Sequence, residues 1–194
     1  KLWLPLLERI RPIASGWNAG TGYGMHVSLN RRSMPTLHQG KLLVFVHGNR
    51  ALCEAVAGRS ENTWTKYVAK NLRDAEEDTS EKYEALALRS MTRMECRIFR
   101  STLSPEGFQR NIEFVDACVL YTKRASATAL QHERFLAWLD KPSKKELFPN
   151  LHAHLFSDRI KARLERKLAK ATGMLPSPTP GDVPEEPDAD DAED

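Results

Sequence analysis

The chain has 194 residues, a net charge of +3 and three cysteines, enough length for one domain with a real core. Cys53, Cys96 and Cys118 are odd in number and widely spaced, with no Cys-x-x-Cys pair; this argues against a disulfide scaffold or zinc ribbon and for a reducing compartment. No apolar run approaches the roughly 20 residues of a membrane span. The modest net charge hides an asymmetry. Residues 175–194 carry eight acids and no Lys or Arg, so the body 1–174 holds 29 basic against 18 acidic side chains, a net +11. A body this basic favours polyanion partners, nucleic acid first.

Residues 1–14 are apolar with two prolines. Pro5 suits a first helical turn and Pro12 a stop, which predicts a short docking helix with Trp3, Leu6, Leu7 and Ile10 on one face. Residues 15–40 lack period: Gly16, Gly20, Gly22 and Gly24 interleave with Trp17, Tyr23 and His26, and Arg31-Arg32 follow. Close-approaching glycines, stacking aromatics and phosphate-binding arginines are the composition of an RNA-contacting extension. An ordinary surface loop is the plainer alternative.

Residues 41–48, with the run Leu42 to Val46 between Gly40 and Gly48, predict a strand buried on both faces. Asn49 then caps a helix Arg50 to Ala57 ended by Gly58. A helix from Ser60 to Ala75 follows, with Trp64, Tyr67, Val68 and Leu72 on its buried face. The next is expected from Glu81 to Arg100, on the stripe Tyr83, Ala87, Met91, Met94 and Ile98. Arg89, Arg93, Arg97 and Arg100 then fall in one exposed row, a solvated face or a rail for phosphates.

Ser104-Pro105-Glu106 is a helix start of cap, first-turn proline and first-turn acid. Its stripe is Phe108, Ile112, Val115 and Val119, widened by Phe114, Cys118 and Tyr121, and Lys123-Arg124 suit its C-terminal dipole. Thr128 to Gln131 and Ser143 to Glu146 resemble capping boxes, with Pro142 and Pro149 as stops. Residues 157–172 form the most polar helix. Ile160, Leu164 and Leu168 make a narrow seam, and Arg159, Lys161, Arg163, Arg166, Lys167 and Lys170 occupy most of the rest. The acidic, proline-rich residues from 175 onward cannot build a core.

Phe45-Val46-His47-Gly48-Asn49 is similar, over about five residues, to the strand-end His-Gly-Asn of α/β-hydrolases. That family also requires a Gly-x-Ser-x-Gly elbow, which the chain lacks, so the plainer reading of His47 is a histidine bonded to backbone. On an extended segment His152 and His154 would place both imidazoles on one side, and a metal there would need Asp158 or His132 as its third ligand. No catalytic constellation and no cofactor is expected.

The expected fold is therefore mainly α: a body of four to five helices over 41–174 with one short buried strand or hairpin. Extended segments lie at 1–40 and 175–194. The expected function is a non-catalytic, RNA-contacting structural subunit of a large ribonucleoprotein, a mitochondrial ribosome above all. Ribosomal RNA and neighbouring proteins are the expected partners, with no small-molecule substrate and no membrane span. The expected phosphate-contacting residues are Arg31, Arg32, the Arg89 row, Lys123, Arg124 and the six cations of 157–172. An accessory subunit of a mitochondrial respiratory complex or ATP synthase is the alternative. The first residue, Lys1, is compatible with a removed organelle leader and a matrix location.

Overall fold

A computed structural model describes residues 3–14, 16, 23–78 and 80–173. The expectations for Trp17, Gly20, Gly22 and the acidic segment 175–194 lie outside them. Among the described residues nine α-helices accompany one three-stranded antiparallel sheet. The mainly α expectation holds, with more helices than anticipated.

The first helix, α1 (Leu4–Ile10), has proline in its first turn. It docks through Trp3, whose ring centroid lies 4.5 Å from that of Phe108. Strand β1 (Gly24–Asn30) follows, so residues 24–30 of the expected loop are sheet. Strand β1 alternates exposed and half-buried residues, with Met25, Val27 and Leu29 against the core.

The expected strand at 41–48 is instead the C-terminal part of a helix, α2 (Thr36–Gly48). Leu42, Leu43, Phe45 and Val46 are all buried, as are His38, Gln39 and Gly40 one turn earlier. A continuous apolar run fits a helix enclosed on all sides as well as a strand. The two glycines do not bound a strand. Gly40 is where α2 touches another backbone, since a Cβ there would lie 2.3 Å from the Leu72 carbonyl oxygen. Gly48 is the last helical residue. The resemblance to a hydrolase strand end therefore fails on local geometry.

Helix α3 (Arg50–Ala57) ends at Gly58, whose φ of +71° is the left-handed closure a glycine permits. Asn49 makes no side-chain cap. Its amide donates instead to the Phe45 and Leu130 carbonyls. The expected helix 60–75 is irregular except for α4 (Asp74–Glu77). Its start is lost to a tight turn in which Trp64 N donates to Asn62 Oδ1 and Thr65 N to Asn62 O, a side-chain alternative to helix that asparagine favours.

The expected helix Glu81 to Arg100 is a hairpin, β2 (Leu86–Ser90) and β3 (Arg93–Arg100), turning at Met91 and Thr92. Strand β3 lies between β1 and β2, pairing Leu29, Val27 and Met25 with Met94, Cys96 and Phe99. Alanine, leucine, arginine and methionine favour helix locally, but pairing with a distant strand overrides that preference. Met94, Cys96 and Ile98, two residues apart, then turn to the core.

Helix α5 (Pro105–Arg124) begins as expected, with Ser104 Oγ accepting from Gly107 N. Its buried side is Phe114, Val115, Ala117, Cys118 and Tyr121, whereas Ile112 is only half-buried. The expected box at 128–131 is a 3-10 turn ahead of α6 (His132–Leu139). Pro142 and Pro149 do not stop helices. They open α7 (Pro142–Leu147) and α8 (Pro149–Leu155) at the first position, where the missing N–H costs nothing. Buried Glu113 of α5 caps α8 from outside, accepting from Leu151 N and Asn150 Nδ2. Helix α9 (Asp158–Ala171) is capped by Ser157.

The helices cover one face of the sheet. Phe135 sits at the centre of the ring cluster, with centroids 5.2 Å from Phe45, 5.4 Å from Tyr121 and 5.8 Å from Trp138. All three cysteines are buried. Burial pushes each thiol up, that of Cys96 to about 12, so none supplies a thiolate near neutrality.

Candidate nucleic-acid interface

The fourteen cations expected to meet phosphate divide by burial. Arg31 is buried, donating to Gln39 Oε1 at 2.6 Å, Asp78 Oδ1 at 2.7 Å and the Ala75 carbonyl at 3.0 Å. It ties the start of α2 to α4 and is not available to a ligand, whereas Arg32 is exposed. Lys123 and Arg124 are exposed at the end of α5. There Lys41 Nζ takes the Ala125 and Lys123 carbonyls, at 2.9 and 3.3 Å.

On α9 the narrow seam is real: Ile160 and Leu164 are buried and Leu168 half-buried. The polar remainder does not form one uniform face. Arg163 is buried. Lys167 Nζ donates to Glu54 Oε2 at 2.9 Å and to Ser60 at 3.1 Å, which locks α9 against α3. Burial raises the Glu54 carboxyl, but the bonds from Lys167, the Glu61 amide and Arg50 outweigh it and hold the group below its ordinary value. Arg159, Arg166 and Lys170 are exposed, and their spacings of seven and four place them on one flank. Lys161 is exposed on the opposite flank.

The expected arginine row does not exist, because strand geometry separates its members. Arg100 is half-buried, and its guanidinium lies over Gly58. The other three stand on the face of the sheet turned away from the helices. Alternation puts Arg93, Glu95 and Arg97 of β3 on that outer side, with His26 and Ser28 of β1 and Ala87 and Arg89 of β2 beside them. Glu95 Oε2 accepts from Arg97 at 2.8 Å and lies 3.5 Å from Arg89 Nε, and His26 Nδ1 is 3.6 Å from its other oxygen. Burial raises Glu95, but the Arg97 bond and the Arg97 and Arg93 charges help to outweigh it and hold the carboxyl below its ordinary value. Burial and Arg97 keep His26 neutral. Three guanidiniums against one carboxylate leave this face at +2.

Two aromatic rings extend the face past the β2 edge. The Arg97 guanidinium lies 5.7 Å from the Tyr83 ring centroid and Lys82 Nζ 5.1 Å from it. Trp64 meets Tyr83 edge-on at 4.8 Å. Sequence reading placed both rings on buried helical stripes and so missed them. The signal that could have found them is Asn62, two residues before Trp64, where an asparagine turn is as natural as a helix.

The histidines serve structure. His47 Nε2 is 3.0 Å from the Leu86 carbonyl and its Nδ1 accepts from Val68 N, so a neutral ring has both nitrogens satisfied. The expectation of a backbone-bonded histidine holds, on a helix rather than a strand. His152 and His154 lie on α8, not on an extended segment; His152 Nε2 meets Asp140 at 2.9 Å. No group of three or more potential metal-ligating side chains occurs among the described residues.

Burial lowers His26, His38 and His47 below the ordinary 6.5. The unfolded chain therefore binds more protons just below pH 6.5, and stability, complete above that value, falls as the pH drops through the lowered native values. The buried carboxylates of Glu54, Glu84 and Glu95 also titrate below their ordinary value of 4.5, so they do not contribute until lower pH. Urea midpoints at pH 7.5 and 5.5 should show the protein less stable at 5.5. Equal midpoints would mean these rings are not held neutral.

No protein-family model matches the chain, and neither a curated protein nor a solved structure matches it. No helix of the described residues is long and apolar enough to cross a membrane.

Proposed function

We propose that the chain is a non-catalytic, RNA-contacting structural subunit of a large ribonucleoprotein, with a mitochondrial ribosome in the matrix as the assembly its basic body fits best. The observation that carries this reading is the division of labour on α9. Ile160, Leu164 and Lys167 fasten the helix to the body, while Arg159, Arg166 and Lys170 stay exposed along one flank. Cations spaced along a docked helix suit a phosphate backbone, which rewards charge at intervals and demands no side-chain code.

The test is a triple charge reversal, Arg159→Glu, Arg166→Glu and Lys170→Glu. Arg163 and Lys167 are left alone because they belong to the packing. Affinity for a duplex RNA should fall, and the slope of log affinity against log salt should drop by roughly one unit per lost contact. Circular dichroism should be unchanged. A wild-type protein with no salt-dependent RNA affinity would remove this reading in favour of a protein-docked accessory subunit.

A further inference from the structure

The α9 flank accounts for phosphate affinity but leaves the outer sheet face without a role. That face joins three things in one connected surface. The first is an exposed tryptophan: Trp64 is 58% exposed. The second is its rigid mount. The turn carrying it is closed by the Asn62–Thr65 backbone pair and by Asn62 Oδ1. Thr65 behind it is buried and bonds through Oγ1 to the Arg97 carbonyl and to the Arg59 guanidinium. Arg59 also donates to Ile98 O at 2.8 Å. Lys66 N then takes the Tyr83 carbonyl at 2.8 Å, and Ala85 N the Lys66 carbonyl. The backbone that carries the ring is thus held in place by the edge of the sheet, and the ring itself rests edge-on against Tyr83.

The third is the charge beside it. Lys66 and Lys82 are exposed near the ring and Arg93 at the far side of the face. Arg97 and Arg89 lie between them, drawn together by Glu95 at 2.8 and 3.5 Å. Ser28 and Ala87 flank Glu95 on the neighbouring strands, and Glu95 and Arg97 are themselves buried beneath this face. Glu95 therefore acts as an orienting group that fixes two guanidiniums, and the surface retains a positive excess. A lone exposed aromatic is commonplace on proteins. A rigid one at the end of a cationic strip matches a ligand with planar π-faces and phosphates in alternation.

We infer that the outer face of the sheet binds single-stranded RNA, with an unpaired base stacked on Trp64 and the adjoining phosphates on the exposed Lys66, Lys82 and Arg93. This rests on the RNA-contacting reading and adds a second site of different selectivity. Helix α9 takes backbone charge from any RNA. The Trp64 face requires a base that is out of a duplex, because only then is a π-face available. A protein partner would have to bring acidic groups and a flat apolar group together, and the test includes that occupant.

The probes are a short oligouridylate, a duplex RNA of equal length, heparin and poly-glutamate. The proteins are wild type, Trp64→Ala, Trp64→Phe and the α9 triple variant. Oligouridylate should quench tryptophan emission in wild type and much less in Trp64→Phe. Its affinity should fall roughly ten-fold or more in Trp64→Ala and only slightly in Trp64→Phe, since a stacking ring remains. Heparin and duplex affinities should be the same in all three. The α9 variant should lose duplex affinity while keeping the quenching. Unchanged oligouridylate affinity in Trp64→Ala, with duplex binding still dependent on α9, would sink this inference alone. So would an equal loss toward heparin and oligouridylate, or poly-glutamate displacing nothing from α9 yet quenching Trp64 more strongly than RNA does. No salt-dependent binding of either RNA would sink the functional reading and this inference together.

Discussion

Replacing Gly40 with alanine will destabilise the protein by about 3 kcal/mol or more, although alanine is the better helix former by ~1 kcal/mol. The reason is contact. Gly40 lies inside α2, and a Cβ there would meet the Leu72 carbonyl oxygen at 2.3 Å, the carbonyl carbon at 3.0 Å and the Cα at 3.1 Å. These are backbone atoms, which cannot rotate away as a side chain would. Either α2 withdraws, taking Leu42, Leu43 and Phe45 out of register with the core, or residues 71–75 lift and uncover buried Ala75. Gly48 in the same helix is the control, since nothing lies within 4 Å of its added Cβ. Gly48→Ala should be neutral or stabilising by up to ~1 kcal/mol. Thermal melts should separate the two by roughly 10 °C. Similar melting temperatures would show that α2 and residue 72 are not in contact.

The same pair of glycines explains a failure of the sequence reading. Bounding a five-residue apolar run, they look like strand punctuation. One is in fact a close-approach residue and the other a helix end, and only the fold distinguishes these uses. Start and stop chemistry was legible at two helix ends: Ser104-Pro105 opens α5 and Gly58 closes α3, each as expected. It misled at Asn49, Pro142 and Pro149. The hairpin failed for a different reason. Its residues favour helix, and the partner that makes them sheet, β1, lies about seventy residues earlier in a segment read as loop. A preference set by a distant strand leaves no mark in local spacing.

For the candidate interface the consequence is specific. Spacing placed the α9 cations on one helix, oriented by the Ile160–Leu164 seam. It could not separate Arg166 from Lys167, because the difference is Glu54, a residue more than a hundred positions away. Helical spacing also gathered four arginines into a rail that strand geometry disperses. What replaces it, Glu95 among Arg89, Arg97 and His26 with Tyr83 and Trp64 alongside, is assembled from three strands and a turn. No single stretch of sequence contains it.

Arg31→Met will unfold the protein far more readily than Arg32→Met, although the two arginines are adjacent and equally basic. Arg31 spends its donors on Gln39 Oε1, Asp78 Oδ1 and the carbonyls of Ala75 and Ser90, at 2.6, 2.7, 3.0 and 3.3 Å. Methionine fills the channel but donates nothing. Buried Gln39 and the Ala75 carbonyl would lose their partner, and Asp78 its counter-charge. Asp78 is also the only non-glycine residue at positive φ among the described residues, at 53°, a conformation that costs roughly 1–2 kcal/mol and that the ion pair helps to hold. Orphaned buried acceptors cost ~1–3 kcal/mol each. A total loss of about 3 kcal/mol is expected, since Asp78 is partly exposed and rehydrates. Arg32 is exposed, and its backbone N–H, not its side chain, bonds Asn30, so Arg32→Met should stay within about 0.5 kcal/mol of wild type. Urea midpoints of the two variants decide the matter, and equal midpoints would overturn the structural role of Arg31. RNA affinity must then be read in that light. A loss in Arg31→Met that disappears under stabilising osmolyte reports unfolding, whereas a loss in Arg32→Met with an unchanged midpoint reports a phosphate contact.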